Sequence, residues 1–204
     1  MSSRIEGDRD SEPQLILIFS GKRKSGKDYV ANLLVDRLGD DVCDVVRLSA
    51  PLKAAYAQEH GLDLEQLLGT GAYKEEYRAD MIRWGEARRR GDPGFFCRLA
   101  TRGASRPVWV VSDARRMSDL RWFRSRFPGR TRCIRVESRQ ETRGRRGWSF
   151  TAGVDDAESE CGLDSGADFH WTVTNEDDAP SLDEQLRPVL ALANQAAAPA
   201  GAAP

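Results

Sequence analysis

Leu15-Ile16-Leu17-Ile18-Phe19 runs through Ser20 into Gly21-Lys22-Arg23-Lys24-Ser25-Gly26-Lys27-Asp28. Five apolar residues in a row read as a short buried strand, and the pattern from Tyr29 to Leu38 reads as a helix. Between them the two glycines let the backbone curl so that successive N–H groups face a phosphate. Lys27 is placed to reach the β- and γ-phosphates, and the helix N-terminus adds its positive end. The spacing matches G-x-x-x-x-G-K, but Asp28 occupies the position where Ser or Thr normally holds Mg2+. A carboxylate still reaches the metal, directly or through water, so the site is altered rather than lost. Three of the five lysines in the chain lie in this loop, while almost all other positive charge is arginine. Lysine serves here as a point charge on phosphate.

Outward from the loop, apolar runs at 15–19, 43–48, 108–112, 131–136 and 169–174 alternate with helical periodicity. The helical stretches are 28–38, 51–59, 63–68, 73–90, 94–102, 118–127 and 181–193. This alternation predicts an α/β fold, a mostly parallel five-stranded sheet flanked by helices, with ligands outside the carboxyl ends of the strands. The stretch at about 50–102 is too long for a simple crossover and is the candidate acceptor-binding insertion. Residues 1–13 and 194–204 read as disordered, which leaves a single domain over 14–193. Ser181 and Glu184 make a capping box, and Pro188 predicts a kink or an early restart in the last helix.

At 204 residues the chain suits one well-buried core plus a small subdomain. A formal net charge of -1 argues against a general nucleic-acid or membrane-surface binder. No apolar run approaches the ~18 residues of a membrane span, and residues 1–12 do not read as a signal peptide. Cys43, Cys97, Cys133 and Cys161 are scattered with no C-x-x-C pair, so reduced core thiols in an intracellular compartment are expected. The two histidines, His60 and His170, are too few for a histidine metal site.

The chemistry concentrates in three further segments. The strand at 108–112 ends in Asp113, the form of a second nucleotide-binding motif in which an Asp beside the loop lysine orients Mg2+. Strands ending in Asp are common, so its weight comes from the loop. Arg115 and Arg116 follow, and paired cations just before a helix start suggest an anion there. Arg139, Arg143, Arg145 and Arg146 lie with Gly144 and Gly147 in a stretch that suits a closing flap over phosphates or, equally, a flexible charged loop. Arg83, Arg88, Arg89 and Arg90 share the long helix of the insertion, and their angular spread lets only one or two reach a ligand. A nucleoside triphosphate with a phosphate monoester brings roughly six negative charges into one cleft. A phosphate acceptor accounts for arginines on three segments, and it needs no general base.

These residues resemble the animal-type phosphomevalonate kinases from position 15 to about 190. The resemblance is carried by 19–28 (FSGKRKSGKD), 56–62 (YAQEHGL), 80–86 (DMIRWGE), 92–97 (DPGFFC), 111–113 (VSD) with Arg115 and Arg116, 146–148 (RGW) and 153–164 (GVDDAESECGLD). It implies a P-loop kinase three-layer fold with a core, a lid at about 138–149 and the insertion. The implied reaction is ATP plus 5-phosphomevalonate giving ADP and 5-diphosphomevalonate, a step toward isoprenoids and sterols. Carried over by position, Lys22, Arg23, Lys24, Ser25, Gly26, Lys27, Asp28 and Arg146 hold ATP. Lys74, Arg89, Arg115, Arg116, Arg135 and Asn175 serve the acceptor, and Lys24, Lys27, Asp28, Arg115 and Arg116 form the catalytic set. Asp28 and Asp113 hold Mg2+. The resemblance further implies a cytosolic monomer with no nucleic-acid or membrane partner, and the C-terminus carries no peroxisomal S-K-L signal. A nucleoside monophosphate kinase shares the loop, lid and charge argument and is the alternative. A GTP-dependent switch is disfavoured because Asn175-Glu176-Asp177-Asp178 lacks the lysine of N-K-x-D.

Overall fold

Strand β1 (Leu15–Gly21) is buried from Leu15 to Ser20. An apolar run without alternation demands this, because both faces of such a strand must be covered. In the computed structural model, which describes residues 12–69 and 71–198, β1 is the central strand. With β2 (Cys43–Val46), β3 (Val108–Val111), β4 (Thr131–Glu137) and β5 (Trp171–Thr174) it forms a five-stranded sheet in the order β2-β3-β1-β4-β5. All four pairings are parallel, with Leu15 opposite Val108 and Ile16 opposite Thr131.

Successive side chains of β1 point to opposite faces. Leu15, Leu17 and Phe19 pack with Val30 and Leu34 of α1 (Lys27–Leu38) and with Leu186 and Val189 of α9 (Leu182–Ala197). Ile16 and Ile18 face Leu120 and Phe123 of α6 (Met117–Arg126). The sheet is therefore sandwiched between helices, and the carboxyl ends of β1, β3, β4 and β5 open on one side. There the chain places the loop after β1, Asp113 to Arg116 after β3, Ser138 after β4 and Asn175 after β5.

The insertion is helical, as its periodicity predicts. Helices α2 (Ser49–His60), α3 (Leu64–Leu68) and α4 (Ala72–Gly91) enclose a small core of Tyr56, Ala57, Leu67 and Met81. Asp63 starts α3 by accepting the Gln66 N–H at 3.2 Å. Helix α5 (Phe95–Ala100) returns the chain toward β3, and Phe96 and Cys97 are buried beneath it.

Three expectations need correction. Helix α9 runs to Ala197, past the expected boundary at 193, because Ala193 is fully buried against the sheet and the apolar face continues. Pro188 sits inside it without ending it. The Ser181 capping box and the burial of Leu186 and Val189 outweigh the hydrogen bond that proline cannot donate. Residues 12 and 13 are also fixed: Glu12 pairs with Arg126 and Arg130 at 3.1 Å, and Pro13 accepts from Arg130 at 2.8 Å. The rest of the segments expected to be disordered, 1–11 and 199–204, lies outside the described residues. Helices α7 (Gln140–Arg145) and α8 (Glu158–Cys161) were not foreseen, since six and four residues are too few to show a period. No helix among the described residues is long and apolar enough to cross a membrane.

Candidate active site

The loop after β1 turns through two left-handed residues, Lys24 (φ 62°) and Gly26 (φ 83°). Gly26 caps α1, and a Cβ there would collide with the Asn175 amide, whose Nδ2 donates to the Ser25 carbonyl at 2.9 Å. Asn175 thus braces the loop from the end of β5. Ser25 Oγ is buried within the turn and has no hydrogen-bond partner among the described residues. Lys27 is 6% exposed, its ammonium donating to the Ser112 carbonyl at the end of β3 and to Asp28 Oδ1 at 2.5 Å. The Asp28 carboxylate itself stands 82% exposed at the mouth.

Asp113 is engaged by backbone in the structure. Its two oxygens accept the backbone N–H groups of Leu48 and Ser49 at 2.7 and 3.0 Å, which fixes the start of α2. The lysine of the loop reaches the Ser112 carbonyl instead. A strand ending in Asp has the same sequence in either role, so the pattern could not separate them.

The charged stretch around α7 divides between two partners. Arg146 donates to Ser138 Oγ at 2.9 Å, to the Asn175 carbonyl at 3.0 Å and to the Ser25 carbonyl at 3.2 Å. The Arg143 guanidinium lies over Trp148 at 4.3 Å and reaches the Arg23 carbonyl at 3.4 Å. Arg139 pairs with Glu176 and Asp178, and Arg145 with Asp177. Two arginines therefore face the loop, and two face the acidic residues after β5. A cavity of about 370 Å³ opens between them, lined by Lys22, Ser25, Arg135, Ser138, Arg139 and Arg143 among others.

Arg115 and Arg116 stand at the mouth of β3. Arg115 Nη1 donates to Glu160 Oε2 at 2.7 Å, and Arg116 is held by Glu86 through Nε at 2.8 Å. The anion their placement suggested is in part Asp119, which accepts both of their backbone N–H groups at 3.2 and 3.1 Å from the first turn of α6. Burial pushes the Asp119 carboxyl up, against the pull of Arg89 and Arg116.

Of the five arginines on α4, only Arg89 is buried, and Arg78 pairs with Glu75 near the start of the helix. Arg83 pairs with Asp80, Arg88 with Glu59, and Arg90 is exposed. Arg89 is 8% exposed with its guanidinium over Phe96 at 4.6 Å, and neither Nε nor Nη1 has a hydrogen-bond partner among the described residues. Burial and then the charge of Arg116 hold it below the usual arginine value. An unpaired cation in such a place is costly, and an arriving anion relieves the cost. From β4, Arg135 donates to Ser20 Oγ at 3.0 Å and to Asp164 at 2.7 Å.

Lys74, in the first turn of α4, lies beside a residue that the sequence reading missed, Lys53 of α2. Burial, then Lys74, Arg78 and Arg47, lower the Lys53 pKa, with Asp113 opposing. Neither lysine forms a hydrogen bond or ion pair with the protein among the described residues. The signal was available: all five lysines of this arginine-rich chain lie in the loop or in this pair. If Lys53 meets an anionic acceptor, the acceptor KM rises as pH climbs through its lowered pKa, since the charge is lost there first. Lys53→Arg, charged throughout, should flatten that profile, and identical profiles for the two proteins would remove Lys53 from the site.

Residues 153–164 were also assigned no role, yet Asp155, Glu160 and Asp164 reach Arg23, Arg115 and Arg135 respectively. All four cysteines are free thiols, and His170 packs by accepting the Cys133 N–H at 3.0 Å.

Comparison with known proteins bears on what this cleft serves. The family model described as phosphomevalonate kinase matches residues 19–129. Phosphomevalonate kinase from Drosophila melanogaster is 47% identical over 181 residues, covering 86% of this chain and 94% of that protein. Among solved structures, TT1252 from Thermus thermophilus is similar with a TM-score of 0.50 and 19% identity, over 89% of this chain and 98% of that one. A gluconokinase from Sinorhizobium meliloti 1021 aligns over 90% of this chain and 94% of its own with a TM-score of 0.44 and 19% identity. The structural likeness to TT1252 speaks to the fold alone. The near-complete relative at 47% identity speaks to more, and by it and the family model the chain belongs to the phosphomevalonate kinase family.

Proposed function

We propose that the protein transfers the γ-phosphoryl group of ATP to 5-phosphomevalonate, giving ADP and 5-diphosphomevalonate. Family membership supports the reaction. The observation that carries the acceptor's chemistry is the buried guanidinium of Arg89 near Arg116, unpartnered among the described residues, with Lys53 and Lys74 forming no ion pair among them either. An oxygen of the acceptor phosphate attacks the γ-phosphorus, and the bond to the β-phosphate oxygen breaks. The acceptor oxygen is already an anion, so no general base is required. The loop N–H groups and Lys27 hold the nucleotide phosphates, and Arg146 closes from the lid. In this reading Arg115 and Arg116 stabilise the charge that builds on the transferring group, and Arg135 serves the acceptor.

The residues present fit a single Mg2+ carried on the nucleotide. No cluster of three or more metal-binding side chains occurs among the described residues, and Mg2+ typically binds through one or two carboxylates plus substrate phosphates. Asp28, exposed beside Lys27, is the carboxylate suited to hold it, and the metal would offset charge on the β- and γ-phosphates. Asp28→Ser should raise the Mg2+ concentration needed for half-maximal rate and lower turnover. Unchanged Mg2+ dependence would leave Asp28 as a helix-start residue only.

A cytosolic monomer without nucleic-acid partners is the accompanying reading; the four free thiols support its reducing compartment, and the balanced net charge supports the lack of nucleic-acid partners. The deciding experiment is ADP release with 5-phosphomevalonate measured beside a panel of nucleoside monophosphates. Faster turnover of any nucleoside monophosphate would overturn the assignment.

A further inference from the structure

Residues 153–164 contribute no group that meets the nucleotide or the acceptor in the reaction above, yet three of their carboxylates are tied to cations of the phosphate cleft. Asp155 accepts from Arg23 Nη1 at 2.8 Å and from Trp148 Nε1 at 2.9 Å. Asp164 takes Lys22 on one oxygen and Arg135 Nη2, at 2.7 Å, on the other. Burial alone would raise both carboxyls, but these partners hold them below the usual aspartate value.

Glu160 differs from both in what it joins. It is 7% exposed; Oε1 accepts the backbone N–H of Arg23, within the loop itself, and Oε2 accepts Arg115 Nη1 at 2.7 Å. One rigid carboxylate therefore spans the nucleotide loop after β1 and the arginine at the mouth of β3. The Ser159 carbonyl adds a second anchor on Arg115 Nη1 at 3.2 Å. Arg115 Nε and Nη2 are left without a protein partner among the described residues.

We infer that Glu160 is a positioning residue for phosphoryl transfer, fixing the Arg115 guanidinium against the phosphate-binding loop before substrate arrives. An unrestrained arginine loses many rotamers when it meets an anion, and prior restraint removes that cost and sets the geometry. A plain counter-ion role predicts the opposite sign. Glu160→Gln deletes a negative charge from an anion-binding cleft, so electrostatics alone would tighten binding and leave turnover equal or higher. Positioning predicts a fall in kcat despite the more favourable field, since glutamine has one acceptor oxygen for two donors.

This inference rests on the phosphoryl-transfer reading, and the wild-type protein is assayed alongside to separate the two. Steady-state kinetics with ATP and 5-phosphomevalonate are measured for wild type, Glu160→Gln, Glu160→Asp, Arg115→Met and the Glu160→Gln/Arg115→Met double variant. Glu160→Gln should lower kcat about 10- to 100-fold, with each KM moving less than about threefold. In the Arg115→Met background the same change should cost less than about twofold, because the residue acts through Arg115. Additive losses, an unchanged kcat, or a defect confined to KM would overturn the inference. Melting temperature and near-UV circular dichroism are read for each variant. If Glu160→Gln does not fold, Glu160→Asp carries the same cycle, and if neither folds the residue is structural and the inference fails. A wild-type protein without turnover would instead fault the reaction.

Discussion

Lys27→Met is expected to lower kcat by about 10²- to 10³-fold or more while the protein keeps its fold. The side chain leaves the first turn of α1 and is held between the Ser112 carbonyl and Asp28, almost out of solvent. Methionine is one atom shorter but keeps the unbranched apolar stem, so packing beneath the loop survives. What disappears is the one buried ammonium that can follow charge onto the oxygen between the β- and γ-phosphorus atoms as that bond breaks. No neighbour can substitute: Lys24 is exposed, and Lys22 is engaged with Asp164 and Cys161. Turnover is measured at saturating substrates, with the melting temperature as the control for folding. A variant within threefold of wild type removes Lys27 from the mechanism.

Arg89→Met should show the next largest effect, and on the other substrate. The guanidinium is buried over Phe96 with two nitrogens unpartnered among the described residues, so on the proposed reading its charge-assisted pair with the acceptor phosphate would form in a dry site. Losing such a pair costs roughly 1.5–3 kcal/mol, or about 10- to 150-fold. The rise should fall on the KM for 5-phosphomevalonate and spare that for ATP. The acceptor should also lose much of its ability to raise the melting temperature, because that shift measures binding to the folded state. Equal shifts in both KM values would point to diffuse attraction into the cleft. In that case added salt would erase the defect.

The central strand, the loop and the parallel sheet were legible because each rests on local grammar. An unbroken apolar run must be buried on both faces, and a glycine-bounded turn between strand and helix has few other uses. All five strands and six of the seven periodic helices fell close to their expected limits, the exception being the C-terminal end of α9. What was not legible depends on chain brought in from far away. Asp113 reads the same whether it faces a metal or the N–H groups of Leu48 and Ser49, and only the position of α2 decides. Glu160 sits 137 residues from the backbone donor it meets in the loop, and no periodicity encodes such a pairing. Helical angle limits the ligand-facing arginines of α4 to one or two and the resemblance points to Arg89, but the unpaired state of its guanidinium is a property of packing.

The strand order carries a consequence for how the protein is made. β1 is the first of the five strands to leave the ribosome, yet it lies at the centre of the sheet. Its partner at Val108 follows roughly ninety residues later, and the other flank, starting at Thr131, later still. At translation rates of about 5–20 residues per second, that apolar segment waits on the order of ten seconds for its first neighbour. Throughout the interval both of its edges, and the Ile16 and Ile18 face that α6 later covers, are available to other chains, in a topology that is already slow to close. Synthesis of this enzyme is therefore expected to lean on chaperones that shield apolar segments. Nascent chains halted before residue 108 should be found bound to them, and free soluble chains of that length would show the dependence to be absent.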